Sequence, residues 1–89
     1  MRIDRYISSN RIIDLSSKDL KSAYAELIDT CDTLLPTPRK RKKVLKELIE
    51  RERSLTSYLG EGVALPHARV DMKRPYALAI GRCPAGLNF

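Results

Sequence analysis

Between two stretches of helical periodicity the chain reads Pro36-Thr37-Pro38, and this punctuation constrains the fold more than any other feature. Upstream, Leu20, Ala23, Tyr24, Leu27, Ile28, Cys31, Leu34 and Leu35 recur at the three-and-four spacing of one buried stripe on an amphipathic helix. Pro36 cannot continue that helix, because it lacks a backbone N–H and its ring collides with the preceding turn. Thr37 then offers a capping hydroxyl, and Pro38 suits the first helical position, so a second helix starts at once. Val44, Leu45, Leu48 and Ile49 supply its apolar face, extended by Leu55. The pattern predicts a first helix over 16–35, with Ser16 as N-cap and Asp19 three residues on. A loop of about two or three residues makes the two helices neighbours on a common core.

Strand signals flank this pair. Residues 1–9 carry Ile3, Tyr6 and Ile7 at helical spacing for about one turn. Arg11-Ile12-Ile13-Asp14-Leu15 predicts a first strand, and Tyr76 to Arg82 predicts an apolar strand covered on both faces, after a polar turn at Asp71 to Pro75. Ser54 to Gly62 reads as loop by composition. Within Val63-Ala64-Leu65-Pro66-His67, Pro66 fixes its own φ and pushes Leu65 toward extended geometry, so His67 sits where a short strand breaks into a loop. The series is βααββ, an α/β domain whose few strands leave an open sheet edge. At 89 residues it is a single domain near the size where one core gives marginal stability. A marginally stable monomer, or a homo-oligomer formed through that edge, is expected.

Apolar residues make up 43% and charged residues 31%, a globular rather than a disordered composition. No apolar run approaches the ~18 residues that span a bilayer, and Met1-Arg2-Ile3-Asp4-Arg5 lacks the hydrophobic segment of a signal peptide. The expectation is a cytoplasmic chain without membrane insertion. Cys31 and Cys83 have no redox spacing and are expected as free thiols. The net charge of +6 leaves room for an acidic partner or for nucleic acid. Arg39-Lys40-Arg41-Lys42-Lys43 puts five cations at the positive end of a helix dipole, where acids are preferred. Such a run is either a solvated face or a docking surface, and without interleaved aromatic residues it is a poor nucleic-acid signal.

His67 is the only histidine in the chain. Histidine alone has a reference pKa, roughly 6.5, that lets a neutral nucleophile and a protonated form coexist near neutrality. The bland alternative is a surface or hydrogen-bonded structural residue. No second histidine, Cys-x-x-Cys or acidic cluster accompanies it to suggest a metal, and nothing resembles a nucleophile elbow.

Arg51-Glu52, followed by Thr56-Ser57-Tyr58-Leu59-Gly60-Glu61-Gly62-Val63-Ala64-Leu65-Pro66-His67, carries a family resemblance. From about Ile12 onward the chain resembles the N-terminal portion of enzyme IIA domains of the bacterial phosphoenolpyruvate-dependent sugar phosphotransferase system, of the mannitol/fructose/nitrogen-regulatory type. Tyr-Leu-Gly-Glu is closest to mannitol-type members, and Gly-Val-Ala-Leu-Pro-His-Ala-Arg is shared more widely. The resemblance implies a three-layer α/β/α fold with a mixed sheet, of which residues 1–89 form a single partial domain lacking the C-terminal part. It implies that His67 accepts a phosphoryl group from the phosphocarrier HPr and passes it to an enzyme IIB domain. Arg51 would neutralise that group, and Arg69 would reach it or remain a solvated loop residue. Tyr58, Leu65 and Ala68 would shape the docking rim. A second active-site histidine of mannitol-type members has no counterpart here. The other function the resemblance allows is a regulatory module, nitrogen-regulatory or transporter-fused, that signals by phosphorylation state or docking. No cofactor or metal is implied.

These roles also make sense physically. Transfer between phosphohistidine and another histidine or cysteine needs a neutral nitrogen in line with phosphorus and cations for the equatorial oxygens. Arginine's planar fork suits phosphate, and a helix end holds it rigidly. The plain alternative for Arg51 is an exposed pair with Glu47 at i,i+4 spacing, worth ~0.3–0.5 kcal/mol.

Overall fold

Glu26 decides where the first helix begins. In the computed structural model, which describes residues 2–88, its carboxylate accepts hydrogen bonds from Ser16 N–H (3.1 Å), Ser16 Oγ (2.9 Å), Ser17 N–H (2.9 Å) and the Ser17 hydroxyl. Ser16 is therefore held outside the helix and is not its N-cap. Asp19 takes that place, its side chain accepting from Ser22 N–H at 3.0 Å, and helix α1 runs Leu20–Asp29. The helix also stops before Leu35. Thr30 Oγ1 bonds the Leu27 carbonyl at 2.6 Å, and tighter turns carry the chain on through Cys31 and Leu35, both buried. The link to the second helix thus spans residues 30–37 and is longer than the spacing suggested.

Helix α2, Pro38–Ser54, starts as the sequence indicates, with Thr37 capping Lys40 N–H at 3.3 Å and Pro38 in the first turn. The cationic run opens it without an acid in the first turn. Two of its members are drawn into the fold: Arg41 donates to the Leu35 carbonyl and Lys40 to the Asp71 carbonyl. The remaining three, Arg39, Lys42 and Lys43, are exposed.

The two apolar stripes meet as expected. Ile28, Cys31, Leu35 and Val44 form the buried centre, with Leu45, Leu48, Val70, Met72 and Ala79 packed against it. Leu55, assigned by spacing to the same face, is 81% exposed, because the helix ends at Ser54 and the chain turns extended.

Strands β1 (Ile12–Asp14) and β4 (Ile80–Arg82) pair in parallel, Ile12 opposite Ile80, with both helices in the crossover between them. Strands β2 (Tyr58–Gly60) and β3 (Val63–Ala64) form an antiparallel hairpin. The architecture is α/β with parallel and antiparallel pairing, and among the described residues the strands form two separate two-stranded sheets. Three expectations change. Residues 58–60, read as loop, are a strand, and residues 76–79, read as strand, are not laddered. In the latter segment the Leu78 carbonyl is taken by buried Arg11, whose guanidinium also bonds the Tyr6 carbonyl, each at 2.9 Å. Nor is β4 covered on both faces: all three of its residues are exposed, and Ile12 and Ile80 are each 43% exposed. Cys31 and Cys83 are free thiols, the first buried and the second half-buried.

Candidate functional site

Everything near His67 hangs from the last turn of α2. There the Glu52 carboxylate accepts four hydrogen bonds: from Tyr24 Oη (2.9 Å), Thr56 Oγ1 (2.6 Å), Ser57 Oγ (2.7 Å) and Ser57 N–H (2.9 Å). Tyr24 comes from α1 and is 3% exposed, so one carboxylate joins both helices to the entry of the β2–β3 hairpin. Burial by itself would raise the pKa of Glu52, but the hydrogen bonds from Thr56, Ser57 and Tyr24 outweigh it and hold the carboxyl at about 2. Burial in turn pushes the Tyr24 phenol up to about 12, with the Glu52 charge adding to the shift.

The hairpin is set by its turn. Gly60, Glu61 and Gly62 all have positive φ, at 91°, 57° and 75°, in the region that side chains resist and glycine accepts. Gly62 N–H closes back onto Tyr58 Oη at 3.0 Å. Beyond β3 the pairing continues for one more bond, from Leu65 N–H to the Ser57 carbonyl at 3.0 Å. Pro66 then breaks the ladder, having no N–H to give.

His67 emerges exposed, with Nδ1 at 3.1 Å from the Leu65 carbonyl oxygen. A carbonyl only accepts, so Nδ1 carries a hydrogen, and in the neutral ring Nε2 keeps its lone pair. The imidazole faces an open cleft of about 530 Å³ that it shares with Pro66, Arg51, Glu47, Glu50 and Glu52 among others. Arg51 lies there with Nε at 3.6 Å from Glu47 Oε1, an i,i+4 pair with both side chains partly exposed. Sequence separation hides this juxtaposition, which brings His67 and Arg51 to one cavity.

The remaining candidates, Tyr58, Leu65, Ala68 and Arg69, are not among the residues that line that cavity. Tyr58 and Leu65 are exposed at 46% and 58%, and the apolar side chains of Leu55, Leu59 and Val63 are exposed as well. Ala68 is half-buried and Arg69 is exposed. Glu52 had no assigned role beyond its place in the motif. Its signal was positional: an acid in the last turn of a helix opposes the dipole, and the hydroxyls four and five residues on compensate it. Among the described residues no group of three or more metal-ligating side chains is gathered, and no helix is long and apolar enough to cross a membrane.

Comparison with known proteins adds one match. Residues 7–89 fit the family model described as Phosphoenolpyruvate-dependent sugar phosphotransferase system, EIIA 2. No curated protein and no solved structure matches the chain.

Proposed function

The chain belongs to the EIIA 2 family of the phosphoenolpyruvate-dependent sugar phosphotransferase system, and from that premise we propose that it carries a phosphoryl group on His67 between two protein partners. Membership gives it a phosphotransfer-related role in that system, alongside phosphocarrier and EIIB proteins. The finer reading is that phospho-HPr is the donor and an enzyme IIB domain the acceptor. The observation that carries it is the cleft that His67 lines together with Arg51, the Nδ1 of the histidine being engaged at 3.1 Å by the Leu65 carbonyl so that Nε2 is left as the nucleophile.

In the proposed step the Nε2 lone pair attacks the phosphorus of the donor's phosphohistidine. A new N–P bond forms as the donor's P–N bond breaks, and the electron pair of that bond returns to the donor's imidazole nitrogen. The ring of His67 thereby gains positive charge, which the Leu65 carbonyl meets at Nδ1–H. Arg51 exchanges Glu47 for the phosphoryl oxygens; the pair it gives up is exposed and cheap to open. The second transfer reverses these roles toward a nucleophile on the IIB partner. Tyr58 and Leu65, exposed on the hairpin, with Ala68 and Arg69 beyond the histidine, form the docking face.

Intact-mass spectrometry after incubation with phosphoenolpyruvate, enzyme I and HPr tests this, beside His67→Ala. The expected result is an acid-labile phosphoryl adduct on the unmutated chain only. An adduct that persists in His67→Ala, or none on either chain, overturns the proposal.

A further inference from the structure

A continuous line of hydrogen bonds runs from α2 to the imidazole. Glu52 accepts from Ser57 N–H at 2.9 Å, the Ser57 carbonyl accepts from Leu65 N–H at 3.0 Å, and the Leu65 carbonyl accepts from His67 Nδ1–H at 3.1 Å. The N–H and carbonyl of Ser57 lie on either side of its Cα, as do those of Leu65, so each bond is tied to the next through one residue's φ and ψ. Turning the Thr56–Ser57 peptide away from Glu52 would move the Ser57 carbonyl through those angles, and with it the Ser57–Leu65 bond. That bond alone extends the hairpin past the two residues of β3. The Leu65 carbonyl has no other anchor on the His67 side, because Pro66 donates nothing.

From this line we infer that Glu52 is a positioning residue for His67. It fixes the loop through Thr56 and Ser57 so that the Leu65 carbonyl selects the Nδ1–H tautomer and aims Nε2 into the cleft. Glu52 does not touch the reacting atoms. Tyr24 completes the device by donating to Oε1 at 2.9 Å from the helix core, which keeps the carboxylate from following the loop into solvent. The inference extends the phosphoryl-carrier reading, since the tautomer matters for chemistry only if His67 is the acceptor. The tautomer itself can be measured whether or not that reading holds.

The test uses nitrogen-15 NMR of the His67 ring in the 89-residue chain, at about pH 9 where imidazole is neutral. The unmutated chain is expected to show a protonated Nδ1 and a bare Nε2. In Glu52→Gln, whose amide brings a donor against the Thr56 and Ser57 donors, the ring is expected to revert toward the Nε2–H form that free imidazole side chains prefer in water. An Nε2–H ring in the unmutated chain overturns the inference, and so does an unchanged Nδ1–H ring in folded Glu52→Gln. If Glu52→Gln lacks the dispersed amide spectrum of a folded chain, Glu52→Asp decides by the same criterion. That variant keeps the charge but is one methylene shorter, which withdraws the carboxylate from Ser57 N–H, and an unshifted tautomer there overturns the inference. In the phosphoryl-acceptance assay, Glu52→Gln is expected to be about 10- to 100-fold slower at saturating donor, with the donor concentration for half-maximal rate little changed. Loss confined to that half-maximal concentration would mean a docking role and overturn the inference. If the unmutated chain accepts no phosphoryl group, the function proposed above fails, while the ring spectra still judge Glu52.

Discussion

The charge on Glu52 should be worth more at neutral pH than in acid, and Glu52→Gln measures how much. Its carboxyl is held at about 2, against an ordinary glutamate value of 4.5, even though burial opposes ionisation. A gap of that width, at 1.36 kcal/mol per pH unit, corresponds to an upper bound of about 3.4 kcal/mol. Partial exposure of the carboxylate to water reduces this to about 1–2 kcal/mol. The folded value is depressed, so the contribution is fully present above 4.5 and disappears as pH falls toward about 2. At pH 3 about three-fifths of it is gone. Urea unfolding of both chains at pH 7 and pH 3 is the assay. With a slope near 1–1.5 kcal/mol per molar, the variant's midpoint should fall by about 1 M at pH 7. The difference between the two chains should be less than half as large at pH 3. An equal difference at both pH values would show that the hydrogen bonds depend on shape rather than charge, and would refute the reasoning.

Three further outcomes follow from the geometry. Gly62→Ala meets no atom within 4 Å but must hold a φ of 75°, so it should cost about 1 kcal/mol of backbone strain and lower Tm by about 4–8 °C in a calorimetric scan. Arg82→Ala removes the 2.8 Å ion pair with Asp14, whose side chains are both 69% exposed, and the chemical-denaturation midpoint should stay where it is within experimental error. Glu47→Gln frees Arg51 from its 3.6 Å partner, and the acceptance equilibrium should shift toward phospho-His67 by up to about fivefold, read as the adduct fraction at fixed donor.

What the sequence made legible was whatever depends on adjacent residues or on one uninterrupted period. Thr37-Pro38 set the start of α2 because cap, proline and first turn are contiguous. The stripes of both helices found their core for the same reason. The boundaries of α1 were not legible. Ser16 has the right chemistry for a cap, but its competing partner, Glu26, lies ten residues away and reaches it only once the helix exists. At the other end, tight turns after Asp29 keep Cys31 and Leu35 on the buried side, so the period runs on where the helix does not. Strand β2 escaped because Tyr58 and Leu59 are both exposed, leaving no alternation to read. At the candidate site, His67 and Arg51 stood out through a motif, whereas their shared cleft and the role of Glu52 are products of folding.

Glu26 and Glu52 make an instructive pair. Each is a helical glutamate that takes four hydrogen bonds from two consecutive small polar residues, Ser16-Ser17 in one case and, with Tyr24, Thr56-Ser57 in the other. Each is held at about 2, Glu26 chiefly by the Ser17 hydroxyl. A depressed carboxyl pKa therefore says nothing by itself about chemistry in this chain. Both reflect one structural need: a loop leaving a helix or strand exposes amides that lack a ladder, and a nearby carboxylate satisfies several at once. The difference lies in what the clamped peptide holds next. Beyond Ser17 comes Asp19, which caps a helix and serves α1 alone. Ser57 instead presents its own carbonyl to Leu65, and Leu65 presents its own to His67. The same device thus ends in a helix cap at one place and in an oriented imidazole at the other, and only at the second does its geometry bear on phosphoryl transfer.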